Sequence, residues 1–338
     1  MPKKIGVLLI NIGTPKSASV QDVASYLTEF LSDPCVIDYS WLLRTLLVRG
    51  LIVPLRKKRI AKAYESIWTE DGSPLLLHLN NTKKGLQSVL GESFHVASAM
   101  RYQEPSIEQG LKELIKNEVS KIIAIPLFPQ YAKATTGSII EKTVQVSHSL
   151  KGCPPISFIQ NFYSHPLFYK AFEEIASEHT LSDYDKIMIS FHGLPERQVK
   201  KDDHTKQCLI SKKCCEKASH SCYRAQCLET AKLLRDALKL PEERCTVCFQ
   251  SRLGQEKWLK PYTIDVIKSL AQNGAKKLLV FSPSFVADCL ETLYEINVEL
   301  QHEFKRCGGE KIDLVSSLNS SSTWIDLLRN LVLGHAYA

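Results

Sequence analysis

The run Ile5-Gly6-Val7-Leu8-Leu9-Ile10 is short and apolar, which is typical of a strand buried on both faces of a sheet. Seven more runs of this kind recur along the chain, and segments with helical periodicity separate them. They span Phe94–Ala99, Lys121–Ile125, Ile156–Ile159, Lys186–Ser190, Cys245–Gln250, Leu278–Phe281 and Lys311–Val315. Because parallel strands need a crossover between them, this alternation predicts an α/β fold with parallel sheets.

The runs form two sets of four that resemble each other in sequence. Met100-Arg101 followed by Pro105-Ser106-Ile107 in the first set matches Ser251-Arg252 followed by Pro261-Tyr262-Thr263-Ile264 in the second. We therefore predict two similar Rossmann-like halves, each a four-stranded parallel sheet flanked by helices. Ligands of such sheets bind beyond the carboxyl ends of the strands, so functional residues are expected just after strands, in a cleft between the halves.

The expected boundary between the halves lies at residues 157 and 158. The first half is predicted over 1–157 and completed by a C-terminal helix over 320–338, and the second half is predicted over 158–319. Two regions fall outside the alternation of strands and helices: a helical stretch over 36–68 and a polar, cysteine-rich insertion over 200–227. Both are candidates for special functions.

Composition excludes several classes of protein. The chain has 338 residues, of which 44% are hydrophobic and 23% charged, as in an ordinary globular enzyme rather than a disordered chain. Its longest apolar stretch, Trp41–Leu55, is interrupted by Arg44 and Arg49 and is too short to cross a bilayer. Asn11 and Thr14 cut the first apolar run too short for an export signal, so we expect a cytoplasmic protein.

His192 lies in Ser190-Phe191-His192-Gly193-Leu194-Pro195, where a predicted strand ends in a sharp turn. This position places an imidazole at the edge of the expected cleft, where it could act as a base. The alternative for a single histidine is a structural side chain that bonds to the backbone at the end of the strand.

A second element carries carboxylates. The segment Phe285–Glu295 follows the strand Leu278–Phe281 and is expected to begin a helix on which Glu291, Glu295 and Glu299 share a face. Like charges one turn apart destabilise a helix, so a row of carboxylates needs another reason. Their oxygen atoms are suitable ligands for a divalent cation. A solvated acidic face is the alternative, but the interval from Lys277 to Lys305 has no cation that would be interspersed on such a face.

These motifs together resemble the ferrochelatase family. The resemblance includes the His192 segment, the run Phe249-Gln250-Ser251-Arg252-Leu253-Gly254 and the run Asp288-Cys289-Leu290-Glu291-Thr292-Leu293. It continues in Asn11-Ile12-Gly13-Thr14-Pro15 and in Pro126-Leu127-Phe128-Pro129-Gln130-Tyr131, and so covers nearly the whole chain. It implies a chelatase-like fold and a lyase that inserts Fe²⁺ into protoporphyrin IX in haem biosynthesis.

The resemblance assigns roles to the acidic helix and to the histidine. His192 and Glu291 would be the catalytic residues, and both would contact the substrate Fe²⁺, as would Glu295 and Glu299. Cys289 departs from many members of the family, which have histidine there, so it bears on the choice of metal. Ile12 stands where members that use coproporphyrin often have tyrosine, which favours protoporphyrin.

Similarity to the animal enzymes maps the porphyrin contacts onto Arg56, Tyr64 and Ser73, where an arginine fork can bind a propionate. Arg56 belongs to the basic run Arg56-Lys57-Lys58-Arg59 beside the apolar stretch Trp41–Leu55. This combination predicts a lip that touches the porphyrin and, peripherally, a membrane surface, although a surface arginine on an internal helix remains the alternative. No pattern of aromatic and basic residues supports binding to nucleic acid.

The insertion holds five cysteines at spacings that lack the paired knuckles of a zinc site, and some bacterial ferrochelatases carry an internal [2Fe–2S] cluster. We predict that Cys208, Cys215, Cys222 and Cys227 hold such a cluster, with Cys214 as the alternative to Cys215. A loop of reduced thiols is the simpler possibility. For the whole chain, the rival functions are a chelatase for coproporphyrin or another metal and a non-catalytic tetrapyrrole or iron–sulfur sensor.

Overall fold

The computed structural model describes residues 4–203, 206–210, 213–217 and 222–337. Residues 204, 205, 211, 212 and 218–221 of the predicted insertion, and residue 338 of the predicted C-terminal helix, lie outside these ranges. Within them, the strands form two four-stranded sheets in which the neighbouring strands are parallel, which confirms the predicted fold class. The strands are β1 (Ile5–Gly13), β2 (Phe94–Tyr102), β3 (Lys121–Pro126), β4 (Ile156–Phe158), β5 (Lys186–His192), β6 (Cys245–Gln250), β7 (Lys277–Phe281) and β8 (Lys311–Leu314).

Helices connect the strands, as the alternation of the sequence predicts. The α-helices are α1 (Val20–Leu31), α2 (Trp41–Thr45), α3 (Val53–Ile67), α4 (Pro74–Leu90), α5 (Ile107–Lys116), α6 (Ser138–Ser149), α7 (Pro166–Ala176), α8 (Glu196–Asp202), α9 (Cys214–Lys217), α10 (Tyr223–Ala237), α11 (Thr263–Gln272), α12 (Leu290–Leu293), α13 (Gln301–Arg306) and α14 (Ser322–Ala336). Wider π-helical turns span Leu46–Ile52, Lys133–Gly137 and Glu295–Leu300. Short 3₁₀ turns span Leu181–Asp183 and Glu242–Arg244.

The chain divides into two compact units. Unit 1 consists of Met1–Phe128, Ala132–Asn161 and Asn319–Ala338, and unit 2 consists of Pro129–Tyr131 and Phe162–Leu318. The strand order is β2-β1-β3-β4 in unit 1 and β6-β5-β7-β8 in unit 2, so the two sheets have the same topology. In both, the first strand along the chain is central and the chain moves first to one side of it and then to the other.

Each unit has its own hydrophobic core. In unit 1, aliphatic side chains of β1 and β3 such as Leu8 and Ile122 are fully buried against Leu111 and Leu114 of α5. In unit 2, Met188 of β5 and Leu278 of β7 pack with Phe304 of α13. The near-continuous apolar sequence of the central strands follows from this burial on both faces.

Two helices begin later than their sequence patterns indicate. The stretch predicted from Val36 becomes helical only at Trp41. The helix expected from Phe285 begins at Leu290, because Cys289 is extended at φ −151° and its backbone N–H is capped by Thr292 Oγ1 at 3.0 Å. Apolar periodicity continues through both starts, so the period alone does not locate them.

Among the described residues, none of the helices combines the length and apolar character that a bilayer-spanning segment needs.

Candidate active site

His192 is the last residue of β5, at the carboxyl end of the central strand of the unit 2 sheet. Its half-buried ring lies between two aromatic rings, with centroid distances of 6.3 Å to Trp258 and 6.3 Å to Phe285. Gly193 follows, and a Cβ there would stand 2.8 Å from the Gln250 backbone oxygen, so only glycine lets the chain turn here. The strand end and this glycine fix where the imidazole lies.

The hydrogen bond of His192 determines which ring nitrogen is free. Nδ1 lies 2.7 Å from the backbone oxygen of Gly193, and a carbonyl oxygen only accepts, so Nδ1 carries the hydrogen. Desolvation lowers the pKa of His192, although the nearby Glu291 carboxylate and this hydrogen bond act in the opposite direction. The ring is therefore neutral at neutral pH, with the Nε2 lone pair available as a base.

Glu291 belongs to the four-residue helix α12 and is close enough to His192 to favour its protonated form. The preceding residues hold this helix in place, because Asp288 Oδ1 accepts hydrogen bonds from Thr292 Oγ1 at 3.0 Å and from Ser317 N at 3.2 Å. The structure thus brings together the imidazole and the carboxylate that sequence analysis selected.

Cys289 is buried directly before α12. Burial, together with the charge of Glu291 and a hydrogen bond to it, raises the pKa of Cys289 well above its usual value. The side chain is therefore a neutral thiol at neutral pH. A protonated thiol is a poor metal ligand, so the sulfur does not compete with the carboxylate oxygens unless an incoming metal displaces its proton.

Glu295 begins the π-helical turn that follows α12. Burial, reinforced by the neighbouring charges of Glu291 and Glu299, raises the pKa of Glu295 to about 7. Ser251 Oγ donates a hydrogen bond of 2.5 Å to Glu295 Oε2, and Gln250 Nε2 lies 3.4 Å from the same atom. At neutral pH this carboxyl group can both accept and release a proton.

Gln250 ties this carboxylate row to the sheet. At the end of β6 its Nε2 donates to the backbone oxygen of Glu291 at 2.9 Å, while its Oε1 accepts from Ser190 Oγ at 2.7 Å. Ser190 is the residue two before His192 on β5. One amide side chain therefore links the histidine strand to the start of the acidic helix.

Sequence analysis assigned no role to Gln250, Ser251 or Tyr223. Gln250 and Ser251 had a usable signal, because polar residues at the carboxyl end of a buried parallel strand face the usual site of ligands. Tyr223 donates its hydroxyl hydrogen to the backbone oxygen of His192 at 2.7 Å, and it follows Cys222 in the insertion. Sequence analysis considered only the cysteines of that segment.

The three residues selected for porphyrin contacts all lie in unit 1. Arg56 is exposed on α3. Tyr64 is buried, and its ring meets those of Tyr26 and Trp68 edge to face. Ser73 is buried at the start of α4.

The Ser73 hydroxyl has a partner in the first loop of unit 1. Its Oγ lies 2.8 Å from Thr14 Oγ1, which joins this loop to α4. Ser73 therefore helps to hold the loop that follows β1, two residues after Ile12.

Thiols cluster in the insertion. Cys214 Sγ lies 3.8 Å from Cys215 Sγ, and Arg224 Nη1 donates to Cys215 Sγ at 2.9 Å. A hydrogen bond from the Cys215 thiol lowers the pKa of Cys222 to about 6, so one anionic sulfur is paired with a neutral one. Cys208 interacts electrostatically with Cys222 and Cys214.

Cys227 is fully buried and interacts with Cys222. The five sulfurs thus form one chain of neighbours. Within the described ranges, however, no three His, Cys, Asp or Glu side chains are arranged to hold a single metal ion. The arrangement therefore differs from a closed tetrahedral zinc site.

Comparison with known proteins identifies the family of the chain. The sequence model of the ferrochelatase family matches residues 4–336. A ferrochelatase from Pseudomonas fluorescens is 43% identical over 332 residues, covering 96% of each chain, and one from Coxiella burnetii is 42% identical, covering 97% of this chain and 93% of its own.

Solved structures with a similar fold are more distant. SirB from Bacillus subtilis with Fe³⁺ has a TM-score of 0.52 at 15% identity, covering 98% of this chain and 96% of its own. CbiX, described as the terminal enzyme for siroheme biosynthesis in denitrifying bacteria, has a TM-score of 0.50 at 9% identity, covering 97% and 98%. These likenesses concern the fold alone, whereas the sequence relatives and the family match show that the chain belongs to the ferrochelatase family.

Proposed function

We propose that this chain inserts Fe²⁺ into protoporphyrin IX, forming protohaem and releasing two protons. The proposal rests mainly on one observation: in unit 2, the neutral imidazole of His192 lies close to the Glu291 carboxylate. The chain also belongs to the ferrochelatase family. A sensor that only binds tetrapyrrole would not need a base and a carboxylate at the same point.

The reaction must bend the macrocycle, remove two pyrrole protons and strip water from iron. Binding energy from the rest of the porphyrin can supply the distortion. His192 Nε2 accepts a proton from a pyrrole nitrogen, and Glu291 ligates the incoming Fe²⁺ or accepts the other proton. Glu295 and Glu299 then carry iron inwards or protons outwards, a role that suits a carboxyl group with a pKa of about 7.

The test is loss of protoporphyrin fluorescence on addition of Fe²⁺ to purified protein. We expect His192→Ala to lower kcat by about 10²- to 10⁴-fold, the usual contribution of a positioned base, while porphyrin binding persists. His302→Ala, which changes an exposed histidine of α13, is the matched control and should retain full activity. Normal turnover by His192→Ala would contradict the proposal.

For the porphyrin, we infer that Arg56 binds a propionate and that Tyr64 and Ser73 line its site. An exposed guanidinium supports this role for Arg56, since it can form two parallel bonds to a carboxylate. Arg56→Ala should raise KM for protoporphyrin with little change in kcat, whereas Lys58→Ala, an exposed change on the same helix, should not.

Ile12 favours protoporphyrin over coproporphyrin. Assays that combine each porphyrin with Fe²⁺, Co²⁺ or Zn²⁺ test this choice and the influence of Cys289 on the metal. Faster turnover of coproporphyrin or Co²⁺ than of protoporphyrin with Fe²⁺ would replace the proposed substrate pair.

We also propose peripheral contact with a membrane surface. Trp41, Leu42, Leu46 and Leu55 are between 60% and 74% exposed, beside the basic run of α3. Apolar side chains next to cations suit an anionic lipid surface. Leu46→Ser combined with Leu55→Ser should weaken sedimentation with phosphatidylglycerol vesicles, and equal sedimentation of both proteins would contradict it.

Finally, we propose a [2Fe–2S] cluster held by Cys208, Cys215, Cys222 and Cys227, with Cys214 able to replace Cys215. The mutual proximity of these thiols and the burial of Cys208, Cys214, Cys222 and Cys227 support it. Such a cluster binds four thiolates and exchanges single electrons. Anaerobically purified protein should be coloured and contain iron and sulfide, and Cys222→Ser should be colourless. A colourless parent protein would end the cluster proposal without affecting the iron-insertion assay.

A further inference from the structure

Tyr223 lies at the junction between the cysteine segment and His192. It is the first residue of α10 and directly follows Cys222, the residue that caps this helix. Its hydroxyl donates a 2.7 Å hydrogen bond to the backbone oxygen of His192 and lies 3.4 Å from Ser284 Oγ. Burial raises the pKa of Tyr223 well above its usual value, so the hydroxyl keeps its hydrogen.

The bonded carbonyl belongs to the peptide group that orients the imidazole. It precedes Gly193, whose own carbonyl oxygen holds His192 Nδ1 at 2.7 Å and whose N–H donates to the Gln250 backbone oxygen at 2.9 Å. Without the tyrosine bond, this peptide group would be held from one side only. A shift there would move the ring that must meet the pyrrole nitrogens.

We propose that Tyr223 is a positioning residue for His192: its hydroxyl holds the peptide group that orients the imidazole. The inference rests on the proposed function, in which His192 acts as the base.

Tyr223→Phe tests the positioning role, because it removes the hydroxyl and keeps the ring. Tyr169→Phe is the matched control, since Tyr169 is buried in the same unit and its hydroxyl donates to the backbone oxygen of Tyr163. We expect Tyr223→Phe to lower kcat about 2- to 10-fold, as the loss of one hydrogen bond predicts, with KM for protoporphyrin unchanged. Tyr169→Phe should lower thermal stability and leave kcat unchanged.

The outcomes separate this inference from the proposed function. Equal kcat for Tyr223→Phe and the parent overturns the positioning role. The second readout is the NMR spectrum of the His192 ring, whose signals should shift in Tyr223→Phe and not in Tyr169→Phe. A parent protein that fails to metallate any porphyrin overturns the proposed function instead, and there the ring signals still test the positioning role.

Discussion

The loops that follow β2 and β6 occupy the same topological position in the two units, and they begin alike. Gln103 (φ 65°) and Ser251 (φ 66°) come directly after the two strands, and both adopt the left-handed conformation that residues other than glycine rarely adopt. Each side chain also donates a hydrogen bond to a glutamate, Gln103 to Glu29 and Ser251 to Glu295.

The two glutamates differ in their surroundings. Glu29 is exposed, whereas Glu295 is partly buried beside Glu291, and the pKa of Glu295 rises to about 7. The shared backbone geometry therefore does not create the reactive carboxyl group. Loss of solvent and a row of like charges do so, and these exist after β6 only because α12 and its π-helical turn supply the other carboxylates.

Unit 1 also buries a carboxylate near its loop, with the opposite result. Asp33 is desolvated, but hydrogen bonds from Ser138, from the Cys35 N–H and from Tyr102, together with the charge of Arg101, lower its pKa. Arg101 Nη2 lies 2.5 Å from Asp33 Oδ2. A buried carboxylate that accepts several hydrogen bonds and faces a cation stabilises the fold. A carboxyl group that is buried beside other acids can instead exchange a proton near neutral pH.

Replacing the partnered acid should have the largest effect on stability. Asp33→Asn leaves the guanidinium of Arg101 without its counter-charge, and we expect a loss of about 3 kcal/mol in the free energy of unfolding, measured by urea denaturation at pH 7. Glu108→Gln, which breaks an exposed pair with Lys112, is the control and should cost less than about 0.5 kcal/mol. Equal losses of unfolding free energy in the two variants would show that the Asp33–Arg101 pair contributes no more to stability than an exposed ion pair.

Replacing Glu295, which lies beside other carboxylates, should change the pH dependence of the free energy of unfolding. Because the pKa of Glu295 is raised from its usual 4.5 to about 7, the folded state binds a proton that the unfolded state has released. Stability from this group is present below about pH 4.5 and is lost as the pH rises through 7, by at most about 3 kcal/mol. Glu295→Gln should therefore gain stability relative to the parent between pH 5 and pH 8.

The matched control for that experiment is Glu29→Gln. This exposed substitution should change stability at pH 7 by less than about 0.5 kcal/mol. Parallel stability curves for Glu295→Gln and the parent would show that Glu295 titrates in its ordinary range.

The smallest expected effect separates the two loop residues. Ser251→Ala removes the hydroxyl that stabilises the ionised form of Glu295, so the midpoint of the pH-dependent stability change should move upwards and stability at pH 8 should fall by about 1 kcal/mol. Gln103→Ala removes the corresponding exposed contact and should cost less than about 0.5 kcal/mol. A larger loss of stability from Gln103→Ala than from Ser251→Ala would contradict the expected difference between the two loops.

Much of the fold could be predicted from sequence because parallel strands buried on both faces are marked by apolar residues along their whole length. The predicted run Cys245–Gln250 matches β6, and Lys121–Ile125 differs from β3 by one residue. The start of α12 at Leu290 could not be predicted, because it depends on the Asp288 hydrogen bond to Ser317, which is distant in sequence. The change from α- to π-helical turns at Glu295 likewise has no periodic signal.

For the candidate site, the proximity of His192 to Glu291 could be expected from the sequence, because β5, which ends at His192, and β7, which precedes Glu291, are adjacent in the sheet. Tyr223 was missed because its importance lies in which backbone carbonyl it bonds. Such contacts are set by tertiary packing and leave no pattern in the residue types.

The order of synthesis matters for unit 1. Helix α14 packs on α4 in this unit, where Ile325 Cδ1 comes within 3.1 Å of the point at which Gly85 would carry a side chain, and Trp324, Leu328 and Val332 are buried. These residues leave the ribosome after all of unit 2. The apolar face of α4 therefore stays exposed to solvent while unit 2 is synthesised. We expect a chaperone to bind the nascent chain at this face.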